Sequence, residues 1–478
     1  MILAFAGFLL AFTLIGVSSA WLSRGTRHDY YLADSSVKPW LVGLSAVATN
    51  NSGYMFIGVI GYTYATGLAS IWLMIGWIAG DFLGSMFVHS RLRQATSRCD
   101  EVSYAGVLSH WYGQQDGGQL QRLIGLISLL FLLAYAAAQL VAGSKALQVL
   151  LGWPAWAGAV MGSVLVALYC MAGGIRASIW TDAAQSIVMI LAMGFLLVST
   201  VGALGGIDAT IESMRAVPHF LDWFPKDLAV PGAIGAVLFI ASWLFAGISV
   251  IGQPHIMVRF MTLDNGDKMY QARIWYYLWF IAFYCMATGV GMLSRIYLTD
   301  TASFDAELAL PTMALEILPP LMVGLVLAGI FAATMSTADS LILSCSAAIT
   351  HDLLPHNIEN QWLIKLTTLA ITACALGLAL SNTQSVFSLV ILAWSGLASA
   401  FAPLLIALCI GWRPSQGISI LAMLAGLFTA MLWRWFGWHN AVYEGLPGIL
   451  VGLAILSSYH LLRSSALPDE NRPVTPSI

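Results

Sequence analysis

Hard oxygen ligands are concentrated in the segment from Ala333 to Ser340, inside a long apolar stretch. Hydroxyl and carboxylate oxygens suit a hard cation and not a soft metal. At about 100° per residue, a helix places positions 333, 336, 337 and 340 on one face, which carries three hydroxyls, with Asp339 on its flank. Bonds from Ser and Thr to the carbonyls four residues earlier would explain the hydroxyls without any ligand. They leave the carboxylate unexplained, so the pattern favours a cation site.

A second polar segment, Ala48 to Gly53, interrupts another apolar stretch, and five of its six residues are polar or glycine. Asn and Ser side chains bond local backbone groups in competition with a helix. We therefore expect an unwound segment whose carbonyls are free to bind a cation. The alternative is a kinked helix whose Asn side chains bond neighbouring helices.

Two further acidic residues, Asp182 and Asp81, lie in apolar surroundings. Asp182 either complements the dipole at a helix start or pairs with Arg176, whereas the sequence identifies no role for Asp81. No nucleophile–base constellation and no Cys/His spacing typical of a structural metal site is present. We therefore predict that the chain is not an enzyme and needs no cofactor.

The composition indicates which elements must position these residues. Of 478 residues, 59% are apolar and 9% are charged, whereas an average soluble domain has about 25% charged residues. So few charges cannot cover a soluble protein, and a nucleic-acid binder would need clustered Lys and Arg. The composition therefore predicts an all-α polytopic membrane protein whose surroundings are the bilayer, with no nucleic-acid partner.

Thirteen segments have the roughly 20 apolar residues that a helix needs to cross the hydrocarbon. They are approximately 2–23, 39–62, 67–91, 122–151, 153–173, 179–203, 231–254, 274–298, 320–350, 363–381, 384–411, 415–436 and 443–463. No polar stretch between them has room for a soluble domain, so residues 1–478 are predicted to form one membrane domain. With the N-terminus outside, fifteen of the 20 Lys and Arg residues face the cytoplasm, as the positive-inside rule requires. We expect the plasma (inner) membrane, and a short cytoplasmic tail at 464–478.

Two of the predicted spans contain breaks. The span 39–62 is interrupted at Ala48 to Gly53, and the span 231–254 ends in Ile251-Gly252-Gln253-Pro254. Gly-interrupted spans five helices apart are typical of an inverted-repeat transporter whose binding site lies at mid-membrane. We therefore predict a 5+5 core with repeats at 39–203 and 231–411. An extra N-terminal span at 2–23 and two C-terminal spans within 415–463 would flank this core.

Four motifs, in this order along the chain, resemble the sodium:solute symporter family, which includes the sodium/glucose and sodium/proline carriers. The motifs are Asp29 to Ala33, Leu44 to Gly53, Gly173 to Asp182, and Ala333 to Ser340. Gly252-Gln253-Pro254-His255, followed by Arg259-Phe260-Met261, is similar to the proline-carrier branch in particular. The resemblance extends to about Arg413. It implies a LeuT-like inverted-repeat fold and transport driven by an inward sodium gradient.

The resemblance also implies a ligand set. The main sodium site would consist of the carbonyls of Ala48, Asn51 and Ala333 and the hydroxyls of Ser336 and Thr337. A second cation site, as in two-sodium members of the family, would consist of Asp182, Ser336, Asp339 and Ser340. Because an aspartate replaces a hydroxyl at Asp339, two carboxylates would repel each other unless a cation lay between them. Na⁺ would be the coupling ion and the only metal.

The substrate would bind beside the break in the first core helix. The predicted contacts are Asn50, Ser52, Gly53, Tyr135, Gln139, Trp243, Ala246, Val250 and Pro254. Proline carriers have Trp and Tyr at the positions of Ala246 and Val250, and an acid at that of Asn50, so this pocket is predicted to be wider and less aromatic. We predict a symporter that imports proline or a related small amino acid, zwitterion or carboxylate, with no obligatory protein partner. The alternatives are proton coupling through Asp182 and Asp339, or a transporter-like membrane sensor.

Overall fold

The computed structural model describes residues 1–113, 118–228, 230–298, 304–354, 358–381 and 385–466. Helices make up nearly all of these residues, and an isolated parallel bridge pairs Val37 with Leu263. A helix satisfies its backbone N–H and C=O groups within one segment, which is the requirement that the hydrocarbon imposes. The predicted all-α class is confirmed. Most of the predicted tail lies outside the described residues.

The first half of the chain contains ten helices among the described residues. They are α1 (Ile2–Ser18), α2 (Arg27–Leu32), α3 (Pro39–Asn50), α4 (Ser52–Phe56), α5 (Gly58–Thr66), α6 (Ile71–Cys99), α7 (Tyr104–Ser109), α8 (Gly118–Leu151), α9 (Ala155–Ala203) and α10 (Ile207–Ala216). Short 3₁₀ turns lie at Ser19–Leu22, Ala33–Ser35 and Gly67–Ser70.

The second half contains nine helices among the described residues. They are α11 (Gly232–Ile248), α12 (Pro254–Met261), α13 (Met269–Tyr297), α14 (Ala309–Ile317), α15 (Pro320–Ala347), α16 (Gln361–Ser381), α17 (Val386–Cys409), α18 (Gln416–Trp435) and α19 (Gly445–Ala466). Further 3₁₀ turns lie at Ser249–Gly252, Gly266–Lys268, Ala306–Leu308 and Trp438–Asn440, and α15 continues into a π-helical turn at Ala348–Leu353.

Eleven helical segments of the described chain are long and apolar enough to cross a membrane, whereas the sequence predicts thirteen spans. One difference is α9, which covers two predicted spans. Its 49 residues would extend about 73 Å, more than twice the thickness of the hydrocarbon. Gly173 and Gly174 interrupt it with non-helical dihedral angles, and Gly174 has φ 55° and ψ −135°. The other difference concerns the predicted spans 39–62 and 67–91. Of these, α3 has only 12 residues before the break at Asn51, and the remainder of both spans forms one long segment, Ser52–Cys99.

Two of the long segments are enclosed by protein and thereby form the centre of the molecule. The segment Pro320–Leu353 and the helix α17 are the most buried candidate spans, whereas α18, α19 and the N-terminal helix are the least buried of the candidate spans in the described chain. Glycine allows close helix packing around this centre. A Cβ on Gly80 of α6 would lie 2.0 Å from the carbonyl oxygen of Leu244, and one on Gly247 of α11 would lie 2.3 Å from that of Trp77. The α6–α11 contact therefore depends on both glycines.

Candidate ion and substrate site

The break between α3 and α4 is short. α3 ends at Asn50 and α4 begins at Ser52, and between them Asn51 has φ −86° and ψ 14°. The Asn51 side chain donates to the carbonyl of Val47 at 2.9 Å. The expected unwound run from Ala48 to Gly53 is therefore wrong in extent. Because local side-chain bonds keep the backbone helical up to Asn50, the segment is closer to the kinked-helix alternative.

Hydroxyls of α15 meet carbonyls of α3 just before this break. Ser336 Oγ lies 3.2 Å from the Ala48 carbonyl oxygen and 3.1 Å from that of Ala333. Thr337 Oγ1 lies 2.9 Å from the Thr49 carbonyl oxygen and 3.2 Å from that of Ala333. Five oxygens from two helices are thus brought together, and all five residues are buried. Oxygens of this kind are suited to a hard monovalent cation.

The predicted ligand set and the observed cluster differ at one position. Four of the five predicted sodium ligands lie in the cluster, but the bonded carbonyl next to Ala48 is that of Thr49, and no bond from Asn51 to α15 is present among the described residues. The Thr49 hydroxyl also lies 3.2 Å from Ser340 Oγ. Thr49 was missed because the ligand set followed the family motif, although the polar segment Ala48 to Gly53 contains it.

A cation does lie between the two predicted carboxylates, and it belongs to the protein. Arg259 Nη2 on α12 is 3.2 Å from Asp182 Oδ2 and 3.7 Å from Asp339 Oδ1, and all three side chains are fully buried. Ser178 Oγ donates to Asp339 at 2.8 Å, and Ser45 Oγ donates to Asp182 at 2.6 Å. The sequence suggested no such role for Arg259, because its position in space depends on tertiary packing.

This acidic cluster, Asp182, Asp339 and Arg259, carries one net negative charge when its members are ionised. Asp182 Oδ1 and Asp339 Oδ2 are buried and have no hydrogen-bond partner within the described part of the chain. Ser340 Oγ lies 3.0 Å from Asp339 Oδ1 and also contacts the guanidinium. The predicted second-cation residues Asp182, Asp339 and Ser340 are therefore adjacent, with two carboxylate oxygens still unbonded.

Both alternatives for Asp182 taken from the sequence are wrong. Arg176 binds Asp29, with Nη2 and Oδ1 2.5 Å apart, and does not pair with Asp182. Asp182 also lies about two turns beyond the interruption at Gly174. The helix-dipole effect falls off within the first turn of a helix, so it does not account for this carboxylate.

Asp81 has a structural environment that the sequence did not reveal. Its Oδ2 accepts from Asn50 Nδ2 at 3.1 Å and from the Tyr276 hydroxyl at 2.7 Å, and its Oδ1 accepts from the Tyr277 hydroxyl at 2.7 Å. Three donors from α3 and α13 therefore hold a fully buried carboxylate on α6. Asn50, predicted as a substrate contact, is committed to this cluster.

Four of the predicted substrate residues come together at the start of α4. The Tyr135 hydroxyl donates to Ser52 Oγ at 3.2 Å, and the Gly53 N–H donates to Gln139 Oε1 at 2.8 Å. Tyr135 and Gln139 are one turn apart on α8, so they share a face. All four residues are buried. A Cβ on Gly53 would lie 2.5 Å from a methyl group of Thr334, so glycine is needed for this approach to α15.

The remaining predicted contacts lie on α11 and the segment after it. Trp243 packs against Tyr62, with ring centroids 5.5 Å apart, and lines a cavity of about 250 Å³. The carbonyl of Ala246 accepts from Trp394 Nε1 at 2.8 Å. Val250 and Pro254 are buried, but no hydrogen bond or ring contact between described residues joins Trp243 to Tyr135. Trp394 was not identified from the sequence as a neighbour of these residues, although its place in the middle of a predicted span was an available signal.

An ion pair fixes the beginning of α17. Lys145 Nζ lies 2.5 Å from Glu307 Oε2, and Glu307 Oε1 accepts from Ser385 Oγ and from the Phe387 N–H. Burial alone would raise the pKa of the Glu307 carboxyl, but these donors outweigh burial and hold it below the ordinary glutamate value. The Phe387 ring stacks on that of Tyr54, with centroids 5.3 Å apart. The pair therefore helps to position Phe387, whose ring packs on Tyr54.

Comparison with known proteins identifies the family. A model of the sodium:solute symporter family matches residues 30–426. The sodium/proline symporter of Escherichia coli (strain K12) is 28% identical over 97% of this chain and 93% of that protein. The high-affinity proline transporter PutP of Bacillus subtilis (strain 168) is 29% identical over 89% of this chain and 90% of that protein.

A solved structure shows a similar fold. It is described as the substrate-bound outward-open state of a Na⁺-coupled sialic acid symporter, with a TM-score of 0.81 and 19% identity, and the match covers 96% of this chain and 97% of that one. At this identity the likeness concerns the fold alone. Since the family model spans most of the sequence, the expected resemblance is confirmed, and the chain belongs to the sodium:solute symporter family.

Proposed function

We propose that this protein imports a small organic solute, either proline or a related amino acid, zwitterion or carboxylate, by sodium-coupled symport. The observation that carries the proposal is the cluster of five buried oxygens between α3 and α15. Family membership supports the sodium coupling, and the proline transporters among the relatives support the substrate class. The protein would act by alternating access in a multi-pass membrane domain.

In this proposal, sodium binds at Ala48, Asn51, Ala333, Ser336 and Thr337, with the Thr49 carbonyl as a further ligand. The ion would take oxygens that otherwise bond α15 to α3. It would therefore favour the state in which the two helices are correctly spaced, and a ligand shifts an equilibrium by its difference in affinity between two states. Linked sites commonly couple by about 1–3 kcal/mol.

We further propose the predicted topology, with thirteen spans in a 5+5 inverted repeat, the N-terminus outside, and residence in the inner membrane. The interruptions at Gly67 and Gly174 support this span count, because they divide the segments Ser52–Cys99 and Ala155–Ala203, each of which is too long for one crossing. The irregular segment Ser249–Gly252 before α12 supports a second repeat, since it lies where the sequence predicts the second broken helix.

A second candidate coupling ion is supported by the acidic cluster. When both carboxyls are ionised, the single net negative charge and the two carboxylate oxygens left unbonded within the described residues favour uptake of a second cation near Asp182, Ser336, Asp339 and Ser340. That cation is either a second sodium ion or a proton. Proton coupling predicts uptake that follows the pH gradient in the absence of sodium.

The proposal is tested by uptake into proteoliposomes across a panel of amino acids and carboxylates that includes proline. We expect one class of solute to enter only with an inward sodium gradient. The variants Ser336→Ala and Thr337→Ala should raise the sodium concentration that gives half-maximal uptake. Uptake that ignores sodium in the unmodified protein would overturn the proposal.

A further inference from the structure

Two fully buried glutamines have side-chain orientations that are fixed by backbone groups. The Gly53 N–H can only donate, so Gln139 Oε1 must face it and Gln139 Nε2 points away. The carbonyls of Ser249 and Trp394 can only accept, so Gln253 Nε2 faces them at 3.1 and 2.9 Å. Gln139 Nε2 and Gln253 Oε1 are left without partners among the described residues. Buried polar groups in native proteins are nearly always hydrogen-bonded.

A third fully buried side chain, His255, is in the same situation. It lies in the first turn of α12, and neither ring nitrogen has a partner in the part of the chain that the structure describes. Its ring is in T-shaped contact with that of Tyr135, with centroids 5.5 Å apart and planes at 88°. The Tyr135 hydroxyl binds Ser52, and Gln139 lies one turn further along α8. His255 and Gln139 are therefore both neighbours of the tyrosine that meets the start of α4, the first by ring contact and the second by helical spacing.

The donors at this place suggest what they bind. A neutral imidazole offers one N–H donor, and the Gln139 amide offers two. Two donor groups from separate helices match the two oxygens of a planar carboxylate, and hydrogen bonds to a charged acceptor are stronger than those to a neutral one. We propose that His255 and Gln139 bind the carboxylate of the transported solute. The inference rests on the proposed symport function and adds to it a residue and a ligand group.

An unpartnered buried histidine does not by itself indicate a ligand, and the chain supplies the matched case. His89 on α6 is also buried without a partner at either ring nitrogen among the described residues. It stacks on the face of Phe260, with centroids 3.6 Å apart, and no hydrogen bond or ring contact with Tyr135, Ser52 or Gln139 is present in the described chain. His89 is therefore the control for any general effect of replacing a buried imidazole.

Two classes of solute carry such a carboxylate, amino acids and simple organic acids. Gln253 precedes His255 by two positions in the sequence, and its buried acceptor Oε1 has no partner among the described residues. This oxygen would accept from the charged nitrogen of an amino acid. Competition against labelled proline or labelled lactate separates the two classes. Each acid is compared with its amide, namely prolinamide or lactamide, because the amide keeps the size and loses the charge.

The decisive variants are His255→Leu, which removes the donor at similar volume, and His255→Gln, which keeps a donor. Replacing an unpartnered polar group with an apolar group does not cost a hydrogen bond, so His255→Leu should melt no lower than the unmodified protein without substrate. Its KM for the acid should rise roughly 10- to 100-fold, with the sodium dependence unchanged. His255→Gln should recover much of the affinity, and His89→Leu should leave KM unchanged.

The unmodified protein should also prefer each acid over its amide, and His255→Leu should reduce that preference. An unchanged KM in a folded His255→Leu protein, or an equal preference for acid and amide in the unmodified protein, overturns the inference alone. If the unmodified protein takes up none of the acids in response to sodium, the proposed function fails, and the inference fails with it.

Discussion

Removing Arg259 and removing Asp339 should have very different effects on stability, because the acidic cluster has two carboxylates and one guanidinium. Arg259→Met leaves two fully buried carboxylates without a cation. Breaking a buried ion pair from one side costs about 3–5 kcal/mol of the free energy of unfolding. Asp339→Asn removes the surplus charge and leaves the 3.2 Å pair between Asp182 and Arg259 intact. It should cost about 1 kcal/mol or less, because Asn keeps an oxygen that accepts from Ser178.

The assay is thermal melting of the purified full chain in detergent, with expression level and monodispersity as checks on folding. From highest to lowest, we expect the melting temperatures of the unmodified protein, Asp339→Asn, Asp182→Asn and Arg259→Met. Asp182→Asn should lose more than Asp339→Asn because Asp182 is the nearer of the two carboxylates to the guanidinium. The pair between Arg176 and Asp29 contains one charge of each sign and is the control. There, replacement of either partner should lower the melting temperature. A loss in Asp339→Asn as large as that in Arg259→Met would refute the charge balance inferred for the cluster.

Three further predictions concern other parts of the structure. Ser336→Ala combined with Thr337→Ala should raise the sodium concentration for half-maximal uptake about tenfold or more, since each lost ligand weakens sodium binding. Uptake measured against sodium concentration tests this, and an unchanged midpoint would refute the proposed main sodium site. Tyr277→Phe should lower the free energy of unfolding by about 1.5–3 kcal/mol, because it removes one of three donors to the Asp81 carboxylate; an unchanged melting temperature would show that this bond contributes nothing. Glu307 has a lowered pKa in the folded protein, so its contribution is present above the unfolded-state value of about 4.3 and is lost as the pH falls through the folded-state pKa. Melting temperatures measured from pH 7 downwards should show that loss, and Glu307→Gln should lack it.

The sequence predicted the class of the protein and the location of its polar interior well. Low charge and long apolar stretches are sufficient for a multi-pass helical protein, because the bilayer imposes both. The polar runs at Ala48 to Gly53 and Ala333 to Ser340 meet in space, and four of the five predicted sodium ligands lie where they meet. The class of the protein and the two polar runs could be found because each depends on local composition and helical spacing, whereas the sodium ligands followed the family motif and stay a prediction.

Other features depend on which helices are neighbours, and one sequence does not contain that information. Arg259 and Asp182 are 77 positions apart in the sequence, and their pairing follows from the packing of α12 and α9 against the same two helices, α3 and α15. The sequence contained no indication of the environment of Asp81, because the partners of its carboxylate, Asn50 and two tyrosines of α13, come from distant segments. The extent of the helix break was overestimated because propensity does not reveal that the Asn51 side chain would bond back to its own helix.

The two polar clusters form one continuous track along α15. Ser336 and Thr337 contact the carbonyls of α3, and one turn further Ser340 contacts the Thr49 hydroxyl, the Asp339 carboxylate and the Arg259 guanidinium. Beyond them lies a small cavity of about 30 Å³, lined by Arg259, Ser340 and residues near the end of α15. An ion leaving the five-oxygen cluster along this track would therefore meet a net negative charge within one helical turn. Because Arg259 balances only one of the two carboxylates, the ionised cluster would attract the ion, but less strongly than two unbalanced carboxylates would. If the proposed sodium site is correct, the guanidinium sets how strongly the track retains a cation, which is why charge balance, and not the number of oxygens alone, is the property to test first.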